Sequence, residues 1–265
     1  MRELLQLILL VIPFISFSQV NQINSEGQRH GLWQKEYPNG QLMYKGEFKS
    51  GKPSGDWLRY YESGQIKARL KYVENSDSAY ASLFDKTGKK IAEGQYVNER
   101  KEGTWYLYSE NIKVSEEKYA NGQKHGIARK FYPSGEVYEE VEWADGKQEG
   151  KYQAFFKNGK PYMQCRFSNN KRNGLCLVFF ENGRMEMEAY YQDNLRQGEW
   201  KFYDSSGEFL YSLKYDKGKL LNPEVRDSMD NLQMRELDEQ RYQIPDPEKF
   251  IRDPSGYMNI IQKMR

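Results

Sequence analysis

Short runs rich in aromatic residues, such as Trp57 to Tyr61 and Gln65 to Tyr72, recur along most of the chain, and each is closed by a step such as Asn-Gly or Ser-Gly. Those steps mark hairpin turns, because the turn needs residues that accept positive φ. The same glycine density disfavours helix. The pattern predicts an all-β chain of tandem antiparallel β-hairpins up to about Asn222, followed by a tail that is partly helical.

The runs repeat. An opening position recurs at Gly31, Gly55, Ala79, Gly103, Gly126, Gly150, Gly174 and Gly198, every 24 residues except for one interval of 23. Two residues after it stands Trp, Tyr, Cys or Ala. A second glycine follows nine residues on, at Gly40, Gly64, Gly88, Gly135, Gly159, Gly183 and Gly207. Only the fourth copy lacks it; there Ser109-Glu110-Asn111-Ile112 is one residue shorter, as expected of a remodelled turn. A fixed period of this size predicts a solenoid or meandering sheet of eight two-stranded copies across residues 31–221, with residues 19–30 as a lead-in or partial repeat.

Register follows from volume. If the turns between copies fold symmetrically, Gly46 faces Trp57, Leu70 faces Ala81, Gly94 faces Trp105, Glu117 faces Ala128, Val141 faces Tyr152, Cys165 faces Cys176 and Ala189 faces Trp200. Large meets small repeatedly, as packing on one sheet face demands. By parity that face also carries Phe48, Tyr72, Tyr96, Tyr119, Trp143, Phe167, Tyr191 and Tyr215. A second stripe of opposite parity holds Tyr60, Phe84, Tyr108, Phe131, Phe155, Phe179 and Tyr203, with expected partners across the hairpin at Lys67, Ile91, Val114, Tyr138, Tyr162, Glu186 and Leu210. A single sheet cannot bury both faces fully. The stripe is therefore either core, if curvature closes over it, or the candidate partner-binding surface.

Gly46-Glu47-Phe48 through Gly55-Asp56-Trp57, and Gly94-Gln95-Tyr96 through Gly103-Thr104-Trp105, resemble MORN repeats, in particular the variant form of bacterial proteins labelled YwqK-type antitoxins. The resemblance covers about residues 25–220. It implies a meandering antiparallel sheet and an interaction role. The leader described next makes a cytoplasmic antitoxin an unfavourable reading.

Residues 1–18 read as a signal peptide: an apolar run from Leu4 to Phe17, too short to span a bilayer comfortably, ends in Ser16-Phe17-Ser18, which suits small-x-small cleavage before Gln19. No cysteine stands immediately after that site, so it carries no lipoprotein signal. An exported protein is expected, in the periplasm, the outer envelope or the secreted space. Forty Lys and Arg against 38 Asp and Glu are interspersed along the chain, so no field strong enough to hold nucleic acid arises. In equivalent turns Lys49, Lys52, Lys124, Lys147 and Lys171 alternate with Glu99, Glu102 and Glu149, which speaks against a membrane-surface role. Apolar burial must lean on aromatics, since 21 residues are Tyr.

The residues point to no catalytic, cofactor or metal site. His30 and His125, the only histidines, occupy a position where other copies place Ser54, Glu102, Glu149, Asn173 and Gln197, so both read as solvated turn residues. The pairs Glu116-Glu117 and Glu139-Glu140 read as a solvated strand face or turn in preference to a glycosidase dyad. Cys165 and Cys176 are the only cysteines, an even number in an exported chain, and the register sets them face to face. A disulfide and plain packing both remain open. In the tail, residues 222–265, Tyr257, Ile260, Ile261 and Met264 fall at helical spacing, expected to cap the last copy or to dock a partner.

The expected function is a non-catalytic interaction scaffold that binds a protein or glycan along the repeat sheet. A phospholipid-surface role and an immunity-like inhibitor are the alternatives.

Overall fold

The computed structural model describes residues 20–74 and 76–243. The leader and the positions Tyr257, Ile260, Ile261 and Met264 lie outside the described residues, which form two compact units.

The first unit runs to Glu136 and also holds Trp143–Gly146. It carries β1 (Gln22–Ile23), β2 (Arg29–Glu36), β3 (Leu42–Lys49), β4 (Lys52–Tyr60), β5 (Ile66–Tyr72), β6 (Ser78–Phe84), β7 (Lys90–Val97), β8 (Arg100–Ser109), β9 (Ile112–Ala120), β10 (Gln123–Lys124) and β11 (Gly126–Phe131). Each strand from β1 to β8 pairs antiparallel with the next, and β9 pairs with both β10 and β11. The boundary between the units falls within β12 (Val137–Ala144).

The second unit carries β13 (Lys147–Phe155), β14 (Pro161–Ser168), β15 (Lys171–Arg172), β16 (Gly174–Phe179), β17 (Met185–Gln192), β18 (Leu195–Tyr203), β19 (Phe209–Asp216), β20 (Lys219–Leu220) and α1 (Pro223–Gln243). Its strands form the same antiparallel meander. Among the described residues α1 is the one helix, and no described helix is long and apolar enough to cross a membrane.

The core of each unit is a row of side chains that crosses the strands. In the first unit Trp33 faces Gly46, Trp57 faces Leu70, Leu70 faces Ala81, Ala81 faces Gly94 and Trp105 faces Glu117. Trp57 lies over Gly46 and Trp105 over Gly94, each with its indole N–H donating to the carbonyl of the next residue on the neighbouring strand, Glu47 and Gln95, at 3.0 Å. In the second unit the row runs through Tyr152, Cys165, Cys176, Ala189, Trp200 and Leu213, with Trp200 Nε1 donating to Tyr190 at 3.0 Å. The expected large-against-small register between copies is therefore present in both units.

The opening glycine has a specific task. Where Trp57 and Trp105 insert, the ladder slips between Lys45 and Glu47 and between Glu93 and Gln95, and Gly55 and Gly103 sit at φ 63° and 66°. A side chain there would be strained in the left-handed region. The third copy has Ala79 and Ala81 instead, and its ladder runs unbroken from Ala68–Leu83 to Tyr72–Ala79. Without the glycine the strand neither slips nor carries an indole. In the fourth copy the missing glycine is replaced by Glu110 and Asn111, both at positive φ (50° and 65°), in a two-residue turn between Ser109 and Ile112.

The expected hairpin partners of the second stripe are corrected by one residue. Tyr60 pairs with Ile66, Phe84 with Lys90, Tyr108 with Lys113, Phe155 with Pro161, Phe179 with Met185 and Tyr203 with Phe209. In every one of these hairpins the residue expected as partner is the one left over in a β-bulge. The cause is the turn itself: in Tyr61 to Gln65 the Gly64 N–H donates to the Tyr61 carbonyl and the Tyr61 N–H to that of Gln65, which uses up one more residue on the return strand.

Exposed strand edges invite pairing with other chains. In the first unit Asn21 takes the Gln34 N–H on its side-chain oxygen, at 2.9 Å, beside β1. In the second unit Asn222 accepts from the Lys214 N–H at 2.7 Å and donates to the Ser212 carbonyl at 3.0 Å, so a side-chain amide continues the ladder past β20. Pro223 then starts α1, where its missing N–H costs nothing, and Val225 packs on the second core.

Candidate functional site

On the aromatic face of the first unit Trp57 and Trp105 fill the second and fourth copies, while the third copy between them has Ala81. Trp57 leans away from the third copy onto Gly46, and Trp105 leans onto Gly94, the ladder partner of Ala81. Tyr72 and Tyr96 stand on either side of Ala79, each paired with it across one strand spacing. The strands that carry them are thus about 10 Å apart. Between and beside them opens a slot of about 790 Å³, floored by Ala68, Leu70, Ala79 and Leu83 and walled by Tyr61, Tyr72, Phe84 and Tyr96.

A second departure from the repeat leaves the slot uncapped. In other copies the residue two before the opening glycine is a cation over the aromatic row: Arg29 lies 5.0 Å from the Trp33 ring, Lys101 4.5 Å from Trp105, Arg172 4.4 Å from Tyr191 and Arg196 5.1 Å from Trp200. Copies two, three and six depart from this, placing Pro53, Asp77 and Gln148 there. Asp77 is held by Lys52 at 3.0 Å and covers no ring.

Two cations remain at the mouth. Arg59 faces Ala68 and Tyr44 across the ladder, is exposed, and makes no ion pair or hydrogen bond among the described residues. Lys67, the bulged residue, rests 5.7 Å from the Tyr61 ring. Burial raises the Tyr96 hydroxyl above its ordinary pKa, while the charge of Arg59 pulls it back down. Asn98 and Glu99 complete the rim.

The second stripe lies elsewhere than expected of either core or bare surface. Tyr60, Phe84, Tyr108, Phe131, Phe155, Phe179 and Tyr203 are all half-buried. Tyr108 donates to Glu93, opposite Tyr106 and away from Trp105, and burial followed by that bond pushes its hydroxyl up to about 12. Cations cover part of the stripe: Arg69 over Phe84 at 5.6 Å, Lys90 over Tyr108 at 5.4 Å and Lys113 over Phe131 at 4.4 Å.

Of the other sequence candidates, His30 and His125 are exposed, the latter 3.8 Å from Asp145. Glu117 is not solvated. It is 8 % exposed on the core face, opposite Trp105, where it accepts from Lys124 and Tyr119 at 2.6 Å each. Among the described residues no group of three His, Cys, Asp or Glu could hold a metal. Cys165 and Cys176 are joined by a disulfide, with Cα atoms 4.2 Å apart.

Five segments, residues 29–50, 53–74, 124–145, 148–169 and 172–193, match the family model described as MORN repeat variant. These five copies are MORN repeat variants. The third, fourth and eighth copies are not matched, and the third and fourth hold Ala79, Ala81 and the shortened turn. MORN repeats suggest a repeat-based binding scaffold. No curated protein matches it. The crystal structure of TarM, 14 % identical, aligns over 48 % of this chain and 21 % of its own with a TM-score of 0.23. An S. aureus TarM mutant in complex with Fondaparinux, alpha-GlcNAc-glycerol and UDP, 15 % identical, aligns over the same shares with a TM-score of 0.22. The chain spans about a fifth of the length of these structures.

The slot was absent from the sequence reading, yet its signal is there. Ala79 and Ala81 break the Gly-x-Trp pattern in the copy where Asp77 breaks the cation pattern.

Proposed function

We propose that the chain is a non-catalytic scaffold of the cell envelope or secreted space that holds a partner protein in the slot of its first unit. The observation that carries this is the interrupted row: two fully packed Trp copies flank one that has neither indole nor cation, leaving an aromatic-walled recess where neighbouring copies are filled. Recesses of this volume with convergent polar groups at the mouth are the usual form of a binding site. Export rests on the apolar leader, which ends at Ser18.

The test uses a photo-crosslinking amino acid at Leu83, inside the slot, and at Tyr162, outside it, in the full chain expressed in its native host. Discrete adducts at Leu83 alone are expected. They should disappear when Leu70→Gly, Ala79→Gly and Ala81→Trp together restore the repeat and fill the recess. Adducts that survive the filling, or none at all, overturn the reading.

A further inference from the structure

We propose that the slot takes an extended acidic segment of the partner, with a carboxylate seated on Arg59 and a flat or branched apolar side chain between Tyr72 and Tyr96. This rests on the slot being the binding site and adds the chemistry of what binds there.

The guanidinium is the first reason. Arg59 has no counter-ion among the described residues, although the same unit pairs Lys49 with Glu74 at 2.7 Å and Lys52 with Asp77 at 3.0 Å. Its planar fork matches a carboxylate bidentately. The remaining charges do not compete for it: Asp77 is taken by Lys52, and Lys67 adds a second cation over Tyr61. Glu99 at the rim is the one carboxylate left unpaired among the described residues lining the slot.

The floor is the second reason. Ala68, Leu70, Ala79 and Leu83 offer methyl groups and no side-chain donor or acceptor. A sugar would set its hydroxyls against that surface without hydrogen bonds, which is costly. An apolar peptide side chain loses nothing there. The width also suits one chain: about 10 Å between the flanking strands leaves room for a single extended backbone or ring between two tyrosines, and not for a helix about 10 Å across.

The experiment is selection of random heptapeptides displayed on phage against the purified full chain and against Arg59→Met. Arg59 is exposed and unpaired, so the variant should keep the unfolding midpoint. The wild type is expected to enrich sequences that set Asp or Glu beside Phe, Tyr or Leu, and Arg59→Met to lose that enrichment. A selected peptide should weaken about tenfold when its acid becomes the amide or when Arg59→Met is used, the loss of one charge-assisted pair. Neutral or basic selected sequences, equal affinity for Arg59→Met, or no enrichment would overturn the proposal, as would polysaccharide retention in place of peptide. Continued crosslinking at Leu83 in any of those cases would leave the slot as the partner site and refute its acidic preference alone.

Discussion

Trp105 lies flat against Gly94: a Cβ added to that glycine would stand 2.4 Å from the indole Cδ2, and Trp105 itself is fully buried at 0 % exposure. The contact leaves no room for a methyl group. Gly94→Ala is therefore expected to destabilise the chain by about 1–3 kcal/mol through overpacking, and Trp105→Ala by about 3–5 kcal/mol through the cavity it leaves. Denaturant unfolding of both variants checks this. A neutral Gly94→Ala would show that the indole does not lie as described.

Cys165 and Cys176 close a loop with a sequence separation of 11. Replacing both by Ser should cost about 2–3 kcal/mol, through chain entropy in the unfolded state. Intact-mass analysis after alkylation decides its presence. Two alkylated thiols before reduction would assign the pair to packing.

Glu117 carries a pH dependence. Burial tends to raise its carboxyl pKa, but the hydrogen bonds from Lys124 and Tyr119 and the charges of Lys124 and Lys101 prevail, and the net shift is downward. A carboxylate with a folded pKa below its unfolded value stabilises the protein above the unfolded pKa of about 4.3 and loses that contribution as pH falls through the folded pKa. Wild type should therefore lose more thermal stability than Glu117→Gln between pH 6 and roughly pH 3. Parallel acid losses in the two proteins would count against the network.

Phe131 and Phe155 are half-buried. Phe131→Ser and Phe155→Ser, made singly, should each cost about 1–2 kcal/mol, well under the roughly 3–5 kcal/mol typical of a fully buried Phe. Unfolding free energies at or above the larger figure would place the stripe in the core.

The hairpin class and the register between copies were legible in the sequence, because each is set locally. A turn glycine fixes where two strands meet, and volume matching then leaves only one alignment of Gly46 with Trp57 or Cys165 with Cys176. Three things needed the tertiary structure. The bulges that displace Lys67 and Ile91 from their expected partners arise from hydrogen bonds inside the turn, which residue parity does not count. The burial of Glu117 depends on Lys124 arriving from β10 to neutralise it and on Tyr119, two residues along its own strand, donating to it. The slot depends on which way two indoles lean, since Trp57 turns away from the third copy onto Gly46 while Trp105 turns toward Ala81 onto Gly94, and side-chain direction across strands is settled only when every neighbour is in place.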